Sequence, residues 1–432
     1  MDYKEAIDYV QNYQSNGISL GLRRMQELCA RLHHPQKKLK FIHVAGTNGK
    51  GSTAAYISSV LGVNGYLVGR YVSPVVFQYE ECIQFEDIRG ITYIGKELLA
   101  EVVTEAASAV ASMERDGFET PTIFEFETAM ALLAFVKKEC RIVIMEVGLG
   151  GREDATNVIE NVIASVITPI SMDHMGMLGH TLTDIAMEKA GIIRERVPVI
   201  SYQTEPEAAE VIASVCEEKY CGLTMVRRDD MQRIHTDLSA CVFSYQGENF
   251  RTRMIGTYQM ENACLAIETC RRLGEEFSFD EVQLMLGIRE ARWQGRFEIV
   301  HTDPLILVDG AHNECGARAL RESIETLLTG RKVHGVMGVF RDKEYEKMVS
   351  VLQPVIDDIV TVKAPTERGL EAEALAQIWR EAGCPVISTA ESVPDGLGKA
   401  VERCEEGDAI LLFGSLSLLG NINNMNRREW GK

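Results

Sequence analysis

Apolar runs of strand length alternate with helix-length stretches along this chain, and that alternation constrains the fold more than any other feature. Phe41-Ile42-His43-Val44-Ala45 is followed by the helical stretch Ser52 to Gly62 and then by Tyr66-Leu67-Val68. Arg141-Ile142-Val143-Ile144-Met145 and Val162 to Ile167 continue the pattern. Strands alternating with helices predict βαβ units around a mostly parallel sheet. The more polar Pro74 to Gly90 and Glu205 to Phe250 read as excursions from that sheet. The second carries a hairpin at Cys241 to Tyr245 turning on Gln246-Gly247-Glu248. From Leu305 the alternation restarts, with strands expected at Leu305 to Val308, Val333 to Val339, Ile359 to Val362, Pro385-Val386-Ile387 and Ala409 to Phe413. A chain of 432 residues is long enough for two cores. The expected fold is α/β: a domain built on a mostly parallel sheet, residues 1–294, then a smaller Rossmann-like α/β domain, residues 295–432. The joint is placed near Trp293 to Arg296, with no Pro- or Ser-rich linker.

Charge narrows the partners. With 63 acidic against 45 basic residues the formal net charge is −18, which repels nucleic acid and anionic membranes. Any anionic ligand therefore needs a local site. Apolar stretches such as Val162 to Ile170 are too short to span a bilayer, and the polar start Met1-Asp2-Tyr3-Lys4-Glu5 is no signal peptide, so a cytoplasmic location is expected. The eleven cysteines include no Cys-x-x-Cys pair and read as reduced thiols; Cys216 and Cys221 lack further ligands to complete a metal site.

The strongest local motif is Gly46-Thr47-Asn48-Gly49-Lys50-Gly51-Ser52, lying between a strand and a helix. Its glycines let backbone N–H groups approach phosphate oxygens, the helix start favours negative charge, and Lys50 and Ser52 add a point charge and a hydroxyl. It differs from the common P-loop because Val44 stands where the first glycine belongs and Gly51 separates Lys50 from Ser52. Glu146, opening the run Glu146 to Asn157, falls at the C-terminal end of a strand, the edge where parallel sheets bind ligands; it can hold Mg2+ or simply end an ordered turn. His174, in Ser171-Met172-Asp173-His174, follows another strand and suits either a ligand or a structural role. Glu188-Lys189-Ala190-Gly191 lies in the helical stretch Thr183 to Gly191. Arg296, in Gly295-Arg296-Phe297-Glu298, and Asp309, in Val308-Asp309-Gly310-Ala311-His312-Asn313, suit phosphate and ribose contacts that close on ATP. Each serves equally as a strand-end cap or an ion pair.

Taken together, these motifs resemble folylpolyglutamate synthase, including its bifunctional dihydrofolate synthase form, within the Mur ligase superfamily. Their order covers the chain almost end to end. The resemblance implies an ATP-dependent C–N ligase that phosphorylates a substrate carboxylate and lets the amine of L-glutamate attack the acyl phosphate, releasing ADP and phosphate. The acceptor would be tetrahydrofolate or another reduced folate and, in the bifunctional form, dihydropteroate. It further implies that Thr47, Asn48, Gly49, Lys50, Gly51 and Ser52 bind triphosphate, that Asn262, Arg296 and Asp309 contact the nucleotide, and that Ser73, Glu146 and His174 bind Mg2+. Lys189 matches the lysine that this family carbamylates with CO2 near a second Mg2+, and His312 matches a residue assisting at the nucleotide or the incoming amine. Ser19 and Leu20, then Thr122, Ile123, Phe124 and Glu125, then Glu153, Asp154 and Ala155, resemble the segments lining the pterin pocket, with Phe124 offering a ring to pack on the pterin. A monomer is expected, with no nucleic-acid or membrane partner.

Two other readings share the motifs. A different Mur-type amino-acid ligase keeps the ATP and metal residues but changes the pocket around Thr122 and Glu153. A non-catalytic ATP-binding regulator keeps the phosphate loop but has no use for Lys189.

Overall fold

The computed structural model describes residues 1–14, 17, 19–274, 276–385 and 387–422, which divide into two compact units. The first unit comprises Met1–Val75, Tyr79–Met231 and Glu261–Ala291; the second takes Val76–Gln78, Gln232–Met260 and the chain from Arg292. Neither is one continuous stretch of sequence.

In the first unit the strands are β1 (Phe41–Ala45), β2 (Val68–Tyr71), β3 (Ile83–Asp87), β4 (Gly90–Tyr93), β5 (Ile142–Glu146), β6 (Val162–Ile167), β7 (Val199–Tyr202) and β8 (Leu223–Val226). They form one eight-stranded sheet in the order β4-β3-β2-β5-β1-β6-β7-β8. Neighbours from β2 to β8 run parallel, while β3 and β4 add antiparallel at one edge. The helix Lys50–Val63 is buried on every face from Gly51 to Gly62, because its small residues allow neighbouring chain close on all sides. Two of its buried hydroxyls reach across to other elements: Ser58 donates to the Glu86 carboxylate, and Ser59 to the carbonyl of Gly287 at 2.8 Å.

Two expectations change here. Pro74 to Gly90 is not wholly an excursion, because Ile83–Asp87 is a strand of the sheet. Its polar residues disguised it: Gln84 and Glu86 are buried, and Gln84 accepts from Nε of the equally buried Arg70 at 2.9 Å. Glu205 to Phe250 likewise contains the helix Pro206–Glu218 and the sheet strand β8. The run begun at Tyr66-Leu67-Val68 becomes strand only from Val68 and continues through Arg70 to Tyr71.

The second unit holds the three-stranded sheet β11-β10-β9, from β9 (Met231–Thr236), β10 (Cys241–Tyr245) and β11 (Glu248–Thr252). β10 and β11 form the expected hairpin; Tyr245 pairs with Glu248, and the two turn residues Gln246 and Gly247 have φ of 50° and 86°. Its six-stranded sheet has the order β12-β13-β17-β14-β15-β16, from β12 (Arg296–Thr302), β13 (Leu305–Asp309), β14 (Val333–Met337), β15 (Asp358–Val362), β16 (Ile387–Ala390) and β17 (Ala409–Phe413). All pairs are parallel except β12 with β13. Leu307, Leu411 and Phe413 enter one core and Val308, Ile410 and Leu412 another, which is why these strands read as continuous apolar runs. The expected joint at Trp293 to Arg296 ends where β12 begins; half-buried at the sheet's edge, that strand has no such run. Of Pro385-Val386-Ile387, Val386 lies outside the described residues. Among the described residues no helix is long and apolar enough to cross a membrane.

Candidate active site

The phosphate loop leaves β1 and enters the helix Lys50–Val63 through Gly49, whose φ of 90° is left-handed. A β-carbon there would lie 2.3 Å from Oδ1 of Asn262, so the position needs glycine on both counts and Asn262 sits directly against the loop. The far side is held by the segment after β6. Thr47 N–H donates to the carbonyl of Pro169 at 2.9 Å, and its hydroxyl both accepts from Ser171 N–H and donates to Ser171 O, each at 3.0 Å.

Two amines converge on one oxygen of this loop. Lys50 Nζ donates to Gly46 O at 3.1 Å and to Thr47 O at 3.2 Å, while Lys189 Nζ donates to the same Gly46 O at 2.8 Å. Lys189 stands in the last turn of the helix Leu182–Ala190 and is only 4% exposed. Burial first, and the Lys50 charge second, bring its pKa from 10.5 down to about 7, against the opposing pull of Asp173 and Asp154. An amine with that pKa is about half neutral at neutral pH and nucleophilic toward CO2.

β2, β5, β1 and β6 are consecutive in the sheet, so the segments leaving their C-terminal ends form a row about 14 Å long at the usual strand spacing of ~4.8 Å. Half-buried Ser73 follows β2, Glu146 ends β5 in register with Val44, the phosphate loop follows β1, and His174 lies beyond β6. Glu146 is 5% exposed, and the Arg70 guanidinium feels its charge. His174 has a φ of 52° and precedes the short helix Met175–Leu178; its imidazole is about two-fifths exposed, with Nε2 3.8 Å from Oδ2 of Asp173. Carboxylate, hydroxyl and imidazole make a donor set for a hard divalent cation that keeps water or phosphate oxygens as its other ligands.

The three segments expected to line a pterin pocket meet. Thr122 and Glu125 form a capping box that starts the helix Ile123–Lys137, with Glu125 Oε2 accepting from Thr122 N–H at 2.6 Å. Phe124 packs against Gly148, where a β-carbon would come within 2.5 Å of its ring, and lies 5.9 Å from the Tyr71 ring. Gly21 N–H donates to the carbonyl of Glu153 at 3.2 Å, joining the Ser19–Leu20 segment to the third one. Ser19 and Glu153 are exposed, Leu20 and Ile123 half-buried, and Ala155 buried. Asp154 is turned inward: Oδ2 accepts from Leu149 N–H at 2.9 Å, and Oδ1 from Thr156 N–H at 3.0 Å and Thr156 hydroxyl at 2.5 Å. Its carboxylate shapes the loop after β5.

On the second unit, Asp309 ends β13 with its side chain fully engaged. Oδ2 accepts from Tyr258 hydroxyl at 2.6 Å and Phe297 N–H at 2.8 Å, and Oδ1 from Ala311 N–H at 2.7 Å. Burial raises its pKa, with those donors and Arg296 opposing. Arg296 pairs with Asp309 in strand register, and its guanidinium lies against Gly310. His312 Nδ1 lies 2.8 Å from Gly310 O, so Nδ1 carries the proton and donates to that carbonyl.

Sequence reading missed several supporting residues. His43, buried on β1, places Nε2 2.9 Å from the Thr156 hydroxyl that holds Asp154; burial drops its pKa to about 3 and keeps it neutral. A polar residue in an otherwise apolar strand was the available signal. Tyr258 and Arg24 had none, because the carboxylates they bond, Asp309 and Glu125, are distant in sequence.

Comparison with known proteins agrees with this geometry. Residues 92–270 match the Mur ligase middle domain and residues 295–416 the Mur ligase glutamate ligase domain. The dihydrofolate synthase/folylpolyglutamate synthase of Bacillus subtilis is 34% identical over 97% of this chain and 98% of its own. A Mycobacterium tuberculosis folylpolyglutamate synthase complexed with ADP and AMPPCP superposes with a TM-score of 0.87 at 27% identity, over 100% of this chain and 99% of the other. Escherichia coli FolC in complex with DHPP and ADP gives 0.84 at 30% identity, over 98% and 97%. The chain belongs to the dihydrofolate synthase/folylpolyglutamate synthase family of Mur ligases.

Proposed function

We propose that this protein is an ATP-dependent ligase that joins L-glutamate to a reduced folate, and to dihydropteroate as a second acceptor, as a monomer in the cytoplasm. The observation that carries the reading is the buried Lys189 amine on the carbonyl of Gly46: a nucleotide sensor has no use for a reactive lysine inside its phosphate loop. The eleven free cysteines agree with a reducing compartment.

In this reading the 1–294 region supplies the ATP-binding domain and 295–432 the glutamate ligase domain. The loop Thr47 to Ser52 holds the triphosphate through backbone N–H groups and the Lys50 ammonium, with Asn262 fixing its shape. Arg296 and Asp309 serve the nucleotide, and His312 assists at the nucleotide or the incoming amine. Ser73, Glu146 and His174 would hold Mg2+, which when bound neutralises phosphate charge. A second Mg2+ would lie by the Lys189 carbamate, formed when the neutral amine adds to CO2 and releases a proton; the cation becomes an anion, which suits a metal.

The acceptor lies among Ser19, Leu20, Thr122 to Glu125 and Glu153 to Ala155, with the Phe124 ring against the pterin. Its carboxylate oxygen attacks the γ-phosphorus of ATP and ADP leaves. The glutamate nitrogen then attacks the acyl carbon, the C–O bond to phosphate breaks, and the nitrogen loses a proton to give the amide. Lys50 stabilises the charge on the transferring phosphoryl group.

The test is phosphate release from Mg-ATP and L-glutamate with tetrahydrofolate, with dihydropteroate and with no acceptor, with product masses measured in parallel. Glutamylated products are expected only with an acceptor, and Lys189→Ala should abolish them while ADP still binds. Turnover with neither acceptor would overturn the folate assignment.

A further inference from the structure

The acceptor segments are tied together by a side chain that lies outside all of them. Arg24, in the helix Arg23–Arg31, commits each guanidinium nitrogen to a different partner. Nη2 donates to the carbonyl of Ser19 at 2.7 Å, Nε to Oε2 of Glu125 at 3.0 Å, and Nη1 to Glu119 at 3.4 Å. The side chain is 14% exposed and that of Glu125 3%, whereas Glu119 is 78% exposed and adds little. Glu125 in turn accepts from Thr122 N–H.

We propose that Arg24 is a positioning residue for the acceptor, its guanidinium fixing the Ser19–Leu20 segment relative to Thr122–Glu125 so that both face one ligand. The proposal rests on the acceptor reading of those segments. Among the described residues two hydrogen bonds tie the segment to its neighbours: Arg24 at Ser19, and the bond from Gly21 N–H to Glu153 O. The second is a single neutral bond at 3.2 Å, so loss of the first leaves the segment free to pivot about Gly21. Arg24 reaches the Ser19 carbonyl and the Glu125 carboxylate from two separate nitrogens of a planar fork in fixed directions, a span that the single nitrogen of an ammonium does not reproduce.

The substitution Arg24→Lys separates positioning from charge, because lysine keeps a cation for buried Glu125 and surrenders the Ser19 bond. Arg24→Met removes both. Steady-state kinetics on the full chain, with tetrahydrofolate and with dihydropteroate, would be run well below each variant's own melting temperature so that folded enzymes are compared. For Arg24→Lys, KM for the acceptor should rise about tenfold while kcat, KM for ATP and Tm stay close to wild type. Arg24→Met should raise acceptor KM further and also lower Tm, since it strands the Glu125 charge. An acceptor KM for Arg24→Lys within twofold of wild type would overturn the proposal, as would a parallel rise in KM for ATP, which marks a general structural role. Wild-type enzyme that saturates with neither acceptor refutes the folate reading itself, and this proposal with it.

Discussion

Lys189 allows a quantitative test because its ionisation is set by neighbours that can be removed one at a time. An ordinary lysine of pKa 10.5 is neutral in roughly one molecule in 3,000 at pH 7; Lys189, at about 7, is neutral in about half. Only the free amine adds to CO2, so at pH 7 this residue should carbamylate about a thousandfold more readily than an exposed lysine at equal CO2. Replacing Lys50 by Met removes the smaller of the two lowering influences and leaves burial, the larger, in place. The pKa should then rise on the order of one unit, and the free amine at pH 7 should fall roughly fivefold. The assay is 13C NMR of enzyme equilibrated with 13C-bicarbonate across pH 6 to 9, following the carbamate carbon, with Lys189→Ala assigning the signal. The midpoint should lie near pH 7 in wild type and about one unit higher in Lys50→Met. A midpoint unmoved or lowered by that substitution would refute the electrostatic reasoning, and no carbamate signal from Lys189 would refute the chemistry.

Gly49→Ala forces a side chain into left-handed backbone and against Oδ1 of Asn262; it should cost about 1–3 kcal/mol of stability and raise KM for ATP without moving KM for the acceptor, as read by thermal melts and kinetics. Tyr258→Phe takes one donor from buried Asp309 and should cost about 1–2 kcal/mol, measured by urea unfolding. His334, 4% exposed on β14, bridges Asp358 at 3.0 Å and Asp408 at 3.1 Å, and those bonds, Asp358 first, raise its pKa above 6.5. Its contribution is therefore complete below pH 6.5 and lost as pH rises through the raised folded pKa, so stability should decline over that interval in wild type and decline less in His334→Asn.

The two larger sheets are legible wherever a strand is buried on two faces, as β1, β5 and β17 are, because apolar side chains dominate there. β3 was not, because its buried Gln84 and Glu86 have partners, Arg70 and Ser58, that no periodicity reveals. The half-buried edge strand β12 hid for the opposite reason, having too few apolar residues to form a run. In the site, a contiguous loop such as Thr47 to Ser52 could be read directly, since strand, glycines, lysine and helix succeed one another in sequence. What each polar group does could not. Asp154 and Asp309 both stand out as carboxylates in motifs, yet their oxygens are engaged by Leu149 and Thr156 in one case and by Tyr258, Phe297 and Ala311 in the other. The clasp by Arg24 joins residues about a hundred positions apart, beyond the reach of any local pattern.

The interleaving of the two units bears on how the chain is made. The helix Lys50–Val63 that carries the phosphate loop packs on residues near Gly287, and Asn262 braces the loop itself. A ribosome that has released the first 231 residues has therefore produced the loop and the whole eight-stranded sheet, but neither the wall behind the helix nor the brace. The nascent first unit must wait, with part of that helix uncovered, while Gln232–Met260 of the other unit is synthesised, and can close only when Ala291 emerges. Over that window, several seconds at ordinary elongation rates of ~5–20 residues per second, the chain is most in need of a chaperone.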